Sequence, residues 1–363
     1  MSDNEVLTKK QAQPAKKGKG CRGCLMWAGI VVGGLALLLC LFVGWTWAGS
    51  SKARAELAAK YPPPGQMVDV GGYRLHINCQ GSKQSADSPT IVLEAGAADY
   101  SLTWDQVQRE VAQFMRVCAY DRAGLGWSER GPNPRAAPYV VEELDALLTG
   151  ADEEPPYVLV GHSPGGLFVR LYTYEHPEQV AGLVLVDSAH EEQIQRLPQA
   201  STKASAQAKL MMRIPQLLSA SGLLARKPAS IPSQFLPPLA PGTEDTYRAL
   251  LATSPQFFAT MMEEGSDLEE SCAAMHSIQD RSLGDMPLIV ISAGESSSSA
   301  VTSLSAEEQA QTMAAWAELQ AELVALSSVG KQVIAEGAGH FVHRDRPELV
   351  IDAIREVVEA VQR

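Results

Sequence analysis

The 363-residue sequence contains no Asn-x-Ser/Thr triplet and no His-Glu-x-x-His. The first absence removes any signal for N-glycosylation. The second removes the commonest local signature of a catalytic zinc, and "GAADYS" (96–101) does not supply a phosphate loop. Cys21 and Cys24 form a lone Cys-x-x-Cys with no second pair behind it, which argues against a metal site. No metal or organic cofactor is expected. Positive charge is also scarce: 30 Lys and Arg face 42 Asp and Glu, a net charge of −12. Six of the basic residues lie in positions 1–24 beside only Asp3 and Glu5, so the remainder carries −16. An acidic body has no basic face for phosphates, and no nucleic-acid partner is expected.

Charge is missing altogether from Leu25 to Ala48. As a helix those residues extend about 36 Å, enough to cross a hydrocarbon core of about 30 Å. Trp27, Trp45 and Trp47 stand near the two ends, where indole rings favour the membrane interface. Residues 25–48 are therefore expected to be a membrane-spanning anchor. The basic tail 1–24 lies in the cytoplasm, and the large domain lies outside, periplasmic or extracellular. A cleaved signal peptide is the competing reading, although its apolar region is usually shorter, about 7–15 residues. Residues 49–61 read as a short helical stalk broken by "YPPPG" (61–65). Cys21 and Cys24 are weak candidates for palmitoylation. Beyond the anchor, Cys79, Cys118 and Cys272 allow one disulfide and a free thiol, or three reduced thiols, with the pairing left open.

From residue 62 onward, apolar runs punctuate the chain: "GYRLHINC", "TIVLEAG", "MRVCAYD", "YVLVGHS", "GLVLVDS", "PLIVISAG" and "KQVIAEG". Fully apolar runs suit strands buried on both faces of a parallel sheet. Helical patterns at 103–114, 140–149, 165–174, 306–327 and 347–361 alternate with them. The rhythm predicts a doubly wound α/β domain with its site at the carboxyl ends of the strands. It breaks once, at 191–286, a strandless excursion containing "KLMMRIPQLL", "FLPPLAP" and "FFATMMEE". An insertion of that length is expected to be a helical cap over the site.

Chemistry concentrates at three strand ends. Ser163 sits in "VLVGHSPGGL" (158–167), a Gly-x-Ser-x-Gly turn between an apolar run and a helix, with Gly161, Gly165 and Gly166 permitting the sharp bend. Such a serine needs a base. His340 in "GAGHFVHRDRPELV", just past the last strand, is the candidate, while His162 is expected to pack and His343 to sit at the surface. An acid that orients the histidine must fall between 163 and 340. Asp187 after "GLVLV" and Glu295 after "PLIVISAG" both stand at strand ends, and the spacing leaves both open.

These pieces, with "VLEAGAADYSLTW" and "VCAYDRAGLGWSE", resemble in order the α/β-hydrolase superfamily, particularly its bacterial membrane-associated or exported members. The resemblance covers about 62–363. It implies an eight-stranded, mostly parallel sheet with a helical cap after strand 6, Ser163 as nucleophile, His340 as base, and an acid at Asp187 or Glu295. It makes the Asp121-Arg122-Ala123-Gly124 loop a structural turn. Two departures stand out. Ala95-Gly96-Ala97 replaces the His-Gly of many relatives, leaving the Ala97 N–H as one oxyanion donor, with the hydroxyls of Tyr100 and Ser101 nearby. Pro164 occupies the position of the second donor and has no N–H. Losing one such donor typically costs about 10²–10³ in turnover. The expected function is cleavage of a small, apolar ester or amide through an acyl-enzyme, as in a carboxylesterase. The alternatives are a binding protein with a degenerate oxyanion site, or a lyase or perhydrolase on the same fold.

Overall fold

The computed structural model describes residues 22–198, 206–233, 236–237, 239–254, 256–295 and 305–363. The tail expected at 1–24 lies almost wholly outside them. Eight strands form one sheet in the order β1-β2-β4-β3-β5-β6-β7-β8. They are β1 (Gln66–Asp69), β2 (Arg74–Gln80), β3 (Thr90–Glu94), β4 (Val117–Tyr120), β5 (Tyr157–His162), β6 (Val180–Val186), β7 (Leu288–Ala293) and β8 (Lys331–Ala335). The first two neighbouring pairs are antiparallel and the other five are parallel. Seven strands coincide with the apolar runs. β1 escapes notice because "QMVD" is a short, half-exposed edge with neither an apolar run nor alternation.

Helices cover both faces. α2 (Asp105–Val111) and α13 (Pro347–Val361) pack on one side, burying Val107, Val111, Val350, Ile354 and Val357 against Ile91, Val158 and Val184. On the other side α3 (Ala137–Gly150) and α4 (Pro164–Glu175) bury Val140, Leu144, Leu167 and Leu171 against Val92, Leu159 and Leu185. The order in which strands are added to the sheet reverses at β3, which leads to β4 on one side and has β5 on the other. That reversal opens a crevice at the carboxyl ends of β3 and β5.

Between β6 and β7 the chain makes the expected helical cap, with no strand among its described residues. Its helices are α5 (Gln193–Arg196), α6 (Ala206–Ala220), α7 (Leu223–Arg226), α8 (Glu244–Thr253), α9 (Phe257–Ser266) and α10 (Leu268–Ser277). Tyr247, Leu250, Leu251 and Phe257 pack with Tyr100 and Leu125, which seats the cap on the loops after β3 and β4. α11 (Ala306–Val324) and α12 (Val342–Asp345) complete the domain.

Helix α1 runs from Arg22 to Lys60. Many side chains between 25 and 48 lie outside the described set, and no helix among the described residues is long and apolar enough to cross a membrane. The stretch expected as a stalk is held to the cap. Ser50 Oγ donates to Ser221 O at 2.8 Å, and Arg54 Nη2 to Ser219 O at 2.6 Å.

Cys79 and Cys118, directly opposite each other on β2 and β4, form a disulfide. Cys272 is a buried thiol whose pKa is pushed up to about 12, above all by its burial. The bridge closes a loop of 39 residues. Replacing both cysteines by alanine should cost about 2–4 kcal/mol, read as a lowered denaturant midpoint. Reductant should produce the same loss in the parent and none in the double variant.

Candidate active site

Ser163 stands between β5 and α4 with φ 54° and ψ −128°, a region that non-glycine residues seldom occupy. Such a conformation costs about 1–3 kcal/mol and persists only where packing dictates it. The packing here is tight. A Cβ on Gly165 would lie 2.6 Å from Ala95 O, so the helix can approach β3 only with glycine at that position. Ser163 O accepts from the Gly166 and Ala189 N–H groups, which ties the turn to the loop after β6.

The loop after β8 carries His340, whose Nε2 lies 2.9 Å from Ser163 Oγ and whose Nδ1 lies 2.6 Å from Asp187 Oδ2. With Nδ1–H donating to the carboxylate, Nε2 is left as an acceptor for the serine hydroxyl. Asp187 follows β6 with φ 40°, and its second oxygen accepts from the Ala293 N–H at 3.1 Å and Trp316 Nε1–H at 2.9 Å. Those donors fix the carboxylate, leaving Oδ2 directed at the imidazole. Glu295 is exposed and makes no bond to His340; its backbone N–H donates to Ala338 O. The structure thus brings Ser163, His340 and Asp187 together and leaves Glu295 apart.

The histidines on either side differ from expectation in one case. His162 is buried, as expected, and its Nε2–H donates to His340 O at 2.9 Å. His343, expected at the surface, is buried instead because α12 turns its ring onto Trp104, at 4.3 Å between centroids, and onto His162, at 4.5 Å. Burial, followed by the charge of neighbouring imidazoles, holds both well below the usual histidine pKa. Donor atoms of Asp99, His162 and His343 lie within 4.8 Å of one another, the spacing of a metal site. The Asp99 carboxylate, however, already carries the Arg344 guanidinium, a cation in direct contact.

On the oxyanion side, Ala97 is exposed, and its N–H donates to no group among the described residues. Pro164 opens α4, where its fixed φ suits the first helical turn. The next N–H in the chain belongs to Gly165. Neither hydroxyl expected as an auxiliary donor bonds Ser163. Tyr100 is buried and stacks on Tyr247 of the cap at 4.7 Å, and the Ser101 N–H donates to Asp121 Oδ1.

A family model described as "Alpha/beta hydrolase family" matches residues 91–353. The chain belongs to that family. YqjL, an uncharacterized protein of Bacillus subtilis, is 27% identical over 277 residues, which are 76% of this chain and 85% of that protein. The chain spans about a fifth of the length of several other curated relatives it matches. One is an uncharacterized vacuolar membrane protein of Saccharomyces cerevisiae, 35% identical over 134 residues, or 33% of this chain and 21% of that protein. Among solved structures, a thermophilic esterase from Thermogutta terrifontis matches with a TM-score of 0.55 at 19% identity. That match covers 82% of this chain and 98% of the esterase, and it establishes the shared fold.

Within this alpha/beta hydrolase, sequence reasoning overlooked three residues. Arg122, assigned to a structural turn, is fully buried behind the oxyanion loop. Its Nη1 donates to Glu94 Oε1 and Ala95 O, its Nη2 to Gly96 O, and its Nε to Glu264 Oε1. Glu264, on α9 of the cap, also accepts the Ala98 N–H at 2.6 Å. Ala98 is held at φ 56°. The two carbonyls before the Ala97 N–H and the Ala98 N–H after it are thus held from behind, and the cap supplies one of the partners. Burial raises the Glu94 pKa against the pull of Arg122, and Tyr120 OH also bonds this carboxylate. Burial alone would depress the Arg122 pKa, but Glu264 and Glu94 outweigh it and raise it. An arginine just past the end of a buried strand was the available signal. Glu264 and Trp316 gave none, because their partners lie more than a hundred residues away.

Proposed function

We propose that this protein is a membrane-anchored serine hydrolase that cleaves an ester or amide of a small, apolar substrate. The hydrogen-bonded chain Ser163 Oγ–His340–Asp187 is the observation that carries this reading. Ser163 Oγ attacks the substrate carbonyl carbon as His340 Nε2 takes the hydroxyl proton. Asp187 holds the imidazole tautomer and stabilises the imidazolium. The tetrahedral oxyanion accepts the Ala97 N–H. Collapse breaks the bond to the leaving group, which takes the proton from Nε2–H, and water activated by the same nitrogen hydrolyses the acyl-enzyme. Pro164 removes one donor from this scheme and makes the hydrolysis slow. It is also the one observation that favours a binding protein over an enzyme.

The anchor is the uncharged run 25–48, and described side chains within it, Trp27, Ile30, Val32, Leu37, Leu38 and Leu41 among them, are exposed. The Cys79–Cys118 bridge favours an oxidising compartment for the domain beyond the anchor.

Labelling of the full chain with a fluorophosphonate tests the reading. The parent should label, Ser163→Ala should not, and Pro164→Leu should label faster, by up to about 10²-fold if the restored N–H reaches the oxyanion. A folded parent that fails to label, alongside a Pro164→Leu variant that labels, would make this a binding protein with an otherwise intact site. Failure of both would remove the hydrolase reading.

A further inference from the structure

Within the cap the charge is unevenly distributed. From Gln193 to Thr243 there is no Asp or Glu, while Arg196, Lys203, Lys209, Arg213, Arg226 and Lys227 are all basic, in a chain whose net charge is −12. The same segment holds exposed apolar side chains. Ile214, Leu217 and Leu218 are 56%, 68% and 38% exposed on α6, and Leu223 at the start of α7 is 46% exposed. Positions 214, 217 and 218 fall on one helical face. Arg213 and Lys227, both exposed, bracket them in the sequence. An exposed apolar face bordered by basic residues is the composition of a helix that lies in a lipid interface.

The chain's connectivity favours lipid over a protein partner. The carboxyl end of α6 is capped by the start of the domain: Arg54 donates to Ser219 O and Ala220 O, and Ser50 to Ser221 O. A guanidinium on the last carbonyls of a helix is a stable arrangement, because those groups have no partners within the helix. Ser50 and Arg54 follow the uncharged run that ends at Ala48 by two and six residues. The apolar face is therefore held on the part of the domain nearest, along the chain, to the anchor.

We propose that the exposed face of α6, with Leu223 at the start of α7, is a docking surface for an anionic lipid bilayer. Ile214, Leu217, Leu218 and Leu223 enter the interface, and Arg213 and Lys227 meet the headgroups. This rests on the anchor assigned to residues 25–48.

Hydrogen exchange of the full chain tests it, in nanodiscs of phosphatidylcholine with or without a third of phosphatidylglycerol. Amides of 213–227 should exchange about tenfold or more slowly with the anionic lipid than without it. High salt should weaken that protection, and replacing Ile214, Leu217, Leu218 and Leu223 by glutamine should abolish it, with fluorophosphonate labelling of Ser163 retained. Incorporation of the chain into discs reports the anchor separately. Chains that incorporate yet show equal exchange of 213–227 in both discs would overturn the docking surface. So would protection that appears in lipid-free detergent and grows with protein concentration, which would mark a second copy as the occupant. Chains that fail to incorporate would overturn the anchor, and with it the docking surface.

Discussion

Asp187→Asn should lower kcat for a fluorogenic short-chain ester by about 10⁴, with the fold intact by thermal unfolding. The direction follows from the two donors on Oδ1. The Ala293 N–H and Trp316 Nε1–H will keep the oxygen of the introduced amide where Oδ1 now sits. Its NH₂ must then face His340 Nδ1, at the place of the present 2.6 Å contact. Nδ1 becomes an acceptor and the ring proton moves to Nε2, which can no longer take the Ser163 proton. Glu295→Gln should leave kcat within about twofold of the parent, since that exposed side chain has no link to the imidazole. Loss of turnover in Glu295→Gln, with activity kept in Asp187→Asn, would move the acid to the other strand end.

Arg122→Met should destabilise the domain by about 3–5 kcal/mol, read from the denaturant midpoint. The substitution leaves Glu94 and Glu264 buried without their shared cation, and strips donors from Ala95 O and Gly96 O. Each loss has the same sign: a buried acceptor without a partner keeps its desolvation penalty. Glu264→Ala isolates the positioning role from the structural one. It frees the Ala98 N–H and detaches the cap from the oxyanion loop, so kcat should fall by about tenfold or more with KM changed far less. Glu264→Gln keeps an oxygen for Ala98 and should recover part of the loss. If kcat is unchanged in Glu264→Ala, the cap does not position the loop.

Local patterning accounts for much of this protein. Seven of eight strands are apolar runs, and the five expected helices lie within a few residues of α2, α3, α4, α11 and α13. A strand buried on both faces has to be apolar throughout, so its own residues reveal it. The edge strand β1, with one side open to solvent, carries no such obligation. Ser163 and His340 were legible for a related reason: a nucleophile turn needs small residues around it, and a base needs a loop at a strand end, both short-range demands.

Pairing across the chain is another matter. Asp187 and Glu295 are equivalent as strand-end carboxylates until the sheet order brings one of them, and α11 brings Trp316 to hold it. Cys79 pairs with Cys118 because β2 and β4 are neighbours in a fixed register, a fact no spacing of cysteines contains. Arg122 looks like turn chemistry until Glu94 and a cap residue 142 positions away converge on it. The amino-acid order was enough for the fold and for placing Ser163 and His340 at strand ends, since steric and hydrophobic demands within ten residues impose them. Which carboxylate faces the imidazole, which thiols join and how the cap grips the oxyanion loop were settled by folding, because each depends on distances between segments remote in the chain.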